Sequence, residues 1–281
     1  MFSSEPQTRN PRCMDEEIKL EKQSSSESFE GQINDEWSQG RACFGGLLLA
    51  YSARAAAHLV PEDRPLRAMN MTYVAPVSAG RIEIKTELLR SGGSVSHVSC
   101  QIHQEGQVAT TATLSYGSPR ANSLSIPQSP MPDVVPPEEG QEFPFLPPIT
   151  PKFIQHLDYR WIPGHTPLAG AETAHVFGWI RPSIPMTVDA AQILALLDAY
   201  PPPLWSKAQA PFLASSLSSH FQILKIPDAT ENNHPWFLYD GPATVVGHGY
   251  SDVQARLWHE DGTLVAVGMQ QFADFTNKLN P

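Results

Sequence analysis

FGGLLLAYSARAAAHL, residues 44–59, decides the architecture of this chain. Ala and Leu are strong helix formers, a glycine pair opens the run and Pro61 closes it, so a helix is expected here. Four strand-like segments follow, at 66–74, 81–89, 95–104 and 107–116. The three junctions between them carry turn residues: Pro76 to Gly80, Ser91-Gly92-Gly93 and Glu105-Gly106. A long helix followed by consecutive antiparallel strands forms an α+β unit in which the sheet wraps the helix.

The same order recurs after a break. Ten of the 27 prolines fall in residues 117–151, a stretch with almost no periodic apolar pattern, which reads as a Pro-rich linker over 118–151. Beyond it come a strand at 174–180, a helix at 187–199 and strand-like runs at 212–226, 236–246, 250–259 and 264–272. The closing hairpins also correspond, His103-Gln-Glu-Gly-Gln-Val against His259-Glu-Asp-Gly-Thr-Leu. Repeated order together with a repeated turn indicates an internal duplication.

Composition narrows the function. The 281 residues are 41% hydrophobic and 17% charged, enough for one large or two ordinary globular domains. A net charge of −10 without any basic run argues against nucleic acid as a partner. Residues 1–28 are polar and charged, without the apolar core of a signal peptide, and no later run has the length of a transmembrane helix. They are expected to form a disordered leader on a cytoplasmic protein with no membrane partner. Cys13, Cys43 and Cys100 are odd in number and widely spaced, so reduced thiols are expected, with Cys43 a small buried filler. The chain has no G-x-S-x-G, P-loop, H-E-x-x-H or Rossmann glycine pattern, and neither a metal nor a cofactor is implied.

One carboxylate stands out. In ALLDAYPPP, residues 195–203, Asp198 shares a helical face with Ala191, Leu194 and Ala195, and prolines 201–203 stop the helix just beyond it. That face should be buried, and a negative charge in the last turn opposes the helix dipole. Fraying into water is one reading of Asp198. A catalytic base is the other, and it requires partners.

The first half, through Phe44-Gly45-Gly46, Tyr73-Val-Ala-Pro76 and Leu89-Arg-Ser-Gly-Gly-Ser94, resembles the N-terminal hotdog domain of the acyl-CoA thioesterase II family. The second half is similar through Leu197-Asp198-Ala199, Trp236-Phe-Leu-Tyr239, and Asp261-Gly-Thr-Leu-Val-Ala266 followed by Gln270. The resemblance implies a double hotdog: an N-terminal hotdog over 29–117, a C-terminal hotdog over 152–275, and a tail at 276–281. It implies a hydrolase acting on an acyl-CoA substrate, in fatty acid metabolism, as a homo-oligomer. It also implies a site in which a helix Asp, a strand hydroxyl and a Gln on the last strand activate water. Asp198 and Gln270 take two of those places. Ala214 stands where the hydroxyl belongs, so either a neighbouring serine substitutes, Ser216 with Ser215 and Ser218 as the other candidates, or two groups alone hold the water. The amides of Gly45 and Gly46, at a helix N-terminus, suit the thioester oxyanion. Arg64, Arg67 and Arg90 are available for coenzyme A. The alternative is a noncatalytic acyl-thioester-binding protein that keeps the fold without full hydrolytic activity.

Overall fold

A computed structural model describes residues 9–23, 27–147, 149–210, 213–228 and 234–276. The first half contributes β1 (Ser28–Ile33), helix α1 (Gly45–Ala57), β2 (Leu66–Tyr73), β3 (Gly80–Ser91), β4 (Val95–Gln104) and β5 (Gln107–Gly117). The second contributes β6 (Leu157–Trp161), β7 (His175–Pro182), helix α2 (Ala190–Asp198), β8 (Ala214–Ile223), β9 (Phe237–Pro242), β10 (Tyr250–His259) and β11 (Leu264–Asp274). These strands build one 14-stranded antiparallel sheet in the order β1-β3-β4-β5-β2-β8-β11-β10-β9-β7-β6, with a two-residue strand outside each end and a third, Val246–Gly247, paired to β10 off this path.

The halves join where β2 pairs with β8, from Ser218 opposite Thr72 to Gln222 opposite Ala68. The two helices lie side by side on the concave face, so that Leu47, Leu49 and Ala50 of α1 and Ile193, Leu194 and Leu196 of α2 are all at or near zero exposure. Both helices are apolar almost all round, as a central position demands. Helix α2 begins with a capping box: Asp189 accepts from the Ala191 and Gln192 amides while the Gln192 side chain accepts from the Asp189 N–H. Its far end is fixed by aromatic residues. Tyr159 Oη donates to the Ala199 carbonyl at 3.0 Å, and the Tyr200 ring stacks on Tyr239 at 4.5 Å.

Parts of the leader and of the Pro-rich segment pack against the fold. The leader is ordered over residues 9–23 and again from residue 27; residues 1–8 and 24–26 lie outside the described residues. Met14 and Ile18, one helical turn apart, enter the core, and the buried Glu17 carboxylate accepts from the Asn34 backbone and side-chain N–H groups. The Arg9 guanidinium donates to the Gln155 and Leu157 carbonyls, to Asp158 and to Ser183. Two apolar residues and one arginine carry too little hydrophobic signal to register in sequence, because their docking surface lies in the second half.

The Pro-rich segment does more than connect. It crosses the outer face of the second sheet, where Trp179, Trp236, Leu238 and Trp258 form a separate cluster with Met131 and Val134 packed on it. Trp179 Nε1 donates to the Val135 carbonyl at 2.9 Å and Trp258 Nε1 to the Ser129 carbonyl at 3.2 Å. Extended proline-rich backbone leaves its carbonyls unpaired, which makes it a natural acceptor strip for indole N–H groups.

Candidate active site

Asp198 is the last residue of α2, and its carboxylate meets three elements at once. Oδ1 accepts from Gln270 Nε2 at 2.6 Å, and the same Nε2 donates to Ser216 Oγ at 2.8 Å. The Gly46 backbone N–H, in the first turn of α1, also donates to Asp198. The charge that opposes its own helix dipole therefore sits against the positive end of the neighbouring helix. This arrangement requires glycine. A Cβ at Gly45 would fall 2.7 Å from Asp198 Oδ2 and 3.3 Å from the Tyr73 ring, and one at Gly46 would fall 2.9 Å from the Ala195 Cα.

Burial raises the Asp198 pKa from its ordinary 3.8 to about 7, while the hydrogen bonds from Gln270 and Gly46 pull it down by less. A carboxyl group that titrates near neutrality can take a proton in one step and return it in the next. If this carboxyl serves as a catalytic base, catalytic efficiency is expected to rise with pH through an apparent pKa near 7 and level off above it, since only the deprotonated form accepts a proton. A pH profile of kcat/KM checks this, and a flat profile from about pH 5 to 9 would remove Asp198 from that role. The linked effect on folding has the opposite sense. The native state holds this proton more tightly than the unfolded chain, so the group's contribution to stability falls as pH rises between about 4 and 7.

The serine is brought into place by an irregularity. Along the β8–β11 pairing, Ser216 lies opposite Phe272 and Ser219 opposite Gln270, with a register shift between Ser216 and Ser218. Because of this extra residue at Leu217, Ser216 and Ser219 face the helices together, three positions apart, and Ser218 turns to the other side. Ser215 is exposed. The bulge thus selects Ser216 among the three candidate serines, and it adds Ser219, a buried residue that the strand pattern in sequence gave no reason to choose.

Several other polar and charged side chains serve elsewhere. Arg64 donates to Ser91, Ser96 and the Gly93 carbonyl, and Arg67 to the Gly117 carbonyl, so both brace turns of the first half. His97 pairs with Ser115, His220 with Asn70 and His259 with Asp261. Cys43 is buried and its thiol is pushed up to about 12 by that burial, which keeps it protonated and unreactive. Among the described residues no helix is long and apolar enough to cross a membrane.

Residues 132–273 match the family described as the acyl-CoA thioesterase C-terminal domain, and residues 33–117 its N-terminal domain. The chain belongs to the acyl-CoA thioesterase family. A protein of Mycobacterium tuberculosis described as uncharacterized is 27% identical to this thioesterase-family chain over 96 residues, which is 32% of this chain and about a third, 33%, of that relative. Among solved structures, a hot dog protein of unknown function from Alicyclobacillus acidocaldarius superposes with a TM-score of 0.81 at 26% identity, over 93% of this chain and 97% of that one. An acyl-CoA thioesterase II from Mycobacterium marinum gives 0.74 at 20% identity, over 94% and 98% of the two chains. The fold of this family member is therefore the double hot dog, α+β, with two sheets fused into one around paired helices.

Proposed function

We propose that the protein is an acyl-CoA thioesterase that hydrolyses its substrate to a free acid and CoA, with Asp198 as the base that activates water. What supports this reading is the chain of contacts from Asp198 through Gln270 to Ser216, on a carboxyl group that titrates near neutral pH. Water gives a proton to Asp198 and its oxygen bonds to the thioester carbonyl carbon. The tetrahedral intermediate then collapses with loss of the CoA thiolate, which takes the proton back. A thiolate is a good leaving group, so no strong general acid is needed. The Gln270 amide holds the carboxylate by one bond and the serine by the other, which fixes the direction in which the base presents its lone pair.

Gly45 and Gly46 keep the backbone close to the reacting centre. Since the Gly46 amide is directed at Asp198, the Gly45 N–H, which no helix can pair internally at that position, is the amide assigned here to the carbonyl oxygen. Association into homo-oligomers is part of the same proposal, and gel filtration reads it.

Release of free thiol from a panel of acyl-CoAs of increasing chain length is the direct test. Turnover above background with at least one of them is expected. Tight acyl-CoA binding by calorimetry without any thiol release would instead identify a noncatalytic acyl-thioester-binding protein, the outcome that Ala214 at the family's hydroxyl position would favour. Within an active enzyme, Ser216→Ala should lower kcat about fivefold, the kinetic equivalent of one neutral hydrogen bond. Gln270→Ala should lower it by about 100-fold, because both the base and the serine lose their support. Steady-state kinetics on purified variants measure both, and equal effects from the two would contradict the order of dependence along the chain.

A further inference from the structure

The concave face of the sheet carries a row of buried hydroxyls next to Asp198. Thr110 on β5 lies opposite Tyr73 on β2, Met71, two residues before Tyr73, lies opposite Ser219 on β8, and Ser219 lies opposite Gln270 on β11. The hydroxyl oxygens of Thr110, Tyr73 and Ser219 are all buried, and none has a hydrogen-bond partner of ordinary geometry within the protein. Buried hydroxyls are normally paired, so three without partners on consecutive strands mark a place that receives a hydrogen-bonding guest.

Tyr73 is the one that reaches the base. Its hydroxyl oxygen and Asp198 Oδ2 lie 3.5 and 2.7 Å from the same point, the position a Cβ would take at Gly45. The two oxygens are therefore at most about 6 Å apart, a separation that one water molecule can bridge. Oδ1 of the same carboxylate is already taken by Gln270, which leaves Oδ2 as the oxygen that faces Tyr73. The Ser219 hydroxyl lies near the Tyr73 hydroxyl and lowers its pKa as a hydrogen-bond partner does. Burial first, and the nearby Asp198 charge second, hold the phenol well above its ordinary pKa, so Tyr73 stays neutral and keeps its O–H.

We propose that the Tyr73 hydroxyl, backed by Ser219, holds the attacking water on the Oδ2 side of Asp198, a second hydroxyl at the site beside that of Ser216. This assignment rests on the thioesterase reading. The water donates one hydrogen to Asp198 Oδ2 and the other to Tyr73 Oη, while Tyr73 donates its own hydrogen to Ser219 Oγ. A lone pair of the water is then free to attack the thioester carbonyl carbon. The first hydrogen passes to Asp198 as the new C–O bond forms, and the C–S bond breaks when the intermediate collapses. Tyr73 is neutral before and after.

The test is Tyr73→Phe, which keeps the ring and removes only the oxygen. It should lower kcat about 10- to 100-fold with KM within about threefold of the parent, the loss expected for a hydrogen bond to the reacting group. Melting temperature should be unchanged, because the ring keeps its packing and no hydrogen bond of ordinary geometry within the protein is lost. The apparent pKa of kcat/KM should rise, since Asp198 loses a water-bridged partner. Ser219→Ala should move kcat in the same direction by a smaller factor. Parental kcat in Tyr73→Phe would overturn the proposal, as would a drop in melting temperature large enough to account for the lost activity. The two failures are distinguishable: parental turnover that survives Tyr73→Phe overturns the role of Tyr73 alone, whereas a parent that releases no thiol overturns the thioesterase reading and this role with it.

Discussion

Asp198→Asn is expected to lower kcat by about 100- to 10,000-fold while leaving the protein folded. The substitution is isosteric; it removes the ability to accept a proton and turns one acceptor oxygen into an NH2 donor, while the amide oxygen can still accept from Gln270. The carboxylate lies between two helix ends, the C-terminus of α2 that disfavours it and the N-terminus of α1 that accommodates it, and burial dominates the balance and raises its pKa to about 7. Loss of the charge therefore relieves desolvation above neutral pH, so thermal stability at pH 8 should equal or exceed that of the parent. Thiol-release kinetics with thermal melts at pH 8 measure both arms. An Asn variant that is active would remove the proposed base, and one that is inactive because it is unfolded would show that the carboxylate serves structure.

Gly46→Ala should be damaging on both counts. The added Cβ would lie 2.3 Å from Phe44 Cζ and 2.9 Å from the Ala195 Cα. Phe44 has little room to retreat, because its ring stacks face to face on Phe153 at 4.2 Å. Ala195 is backbone of α2, three residues before Asp198, so relief comes only by spreading the helices. Overpacking of this kind costs about 1–3 kcal/mol. It also moves the Gly46 amide and the base apart, for which a loss of about 100-fold in kcat/KM is expected. Gly247→Ala is the control: nothing lies within 4 Å of its Cβ position, and stability should change by less than about 0.5 kcal/mol. Chemical denaturation of the two variants beside the parent reads the contrast, and equal stabilities would show that the helix contact can relax.

Most of the fold was legible because its punctuation is local. The glycine pair at 45 and 46, the turns at Gly92-Gly93 and Glu105-Gly106, and the prolines after Tyr200 mark element ends by what each residue does to its own backbone. The helix N-terminus at Gly45, the strand Val95–Gln104 and the strand Tyr250–His259 follow directly from such signals. β1 and β6 were not anticipated, since Ser28–Ile33 and Leu157–Trp161 are short and are recognised as strands through the neighbours they pair with. Asp198 could be found because a charge among Ile193, Leu194, Leu196 and Leu197 violates the pattern around it. Tyr73 and Ser219 could not, because an inward tyrosine at a strand end and a serine among serines violate nothing. Their meaning depends on the bulge at Leu217, set by a pairing between segments about 55 residues apart, and on the β2–β8 pairing, between segments about 150 residues apart.

With the site proposed above, that junction between β2 and β8 also governs stoichiometry. Gly45, Gly46 and Tyr73 come from one half of the duplication, and Asp198, Ser216, Ser219 and Gln270 from the other. The halves supply unlike parts to a shared centre and do not each carry a copy of it. Titration with an acyl-CoA analogue that occupies the site should therefore reach saturation at one equivalent per chain, although the chain holds two hot dog units. A lesion in either half has no spare in the other to mask it.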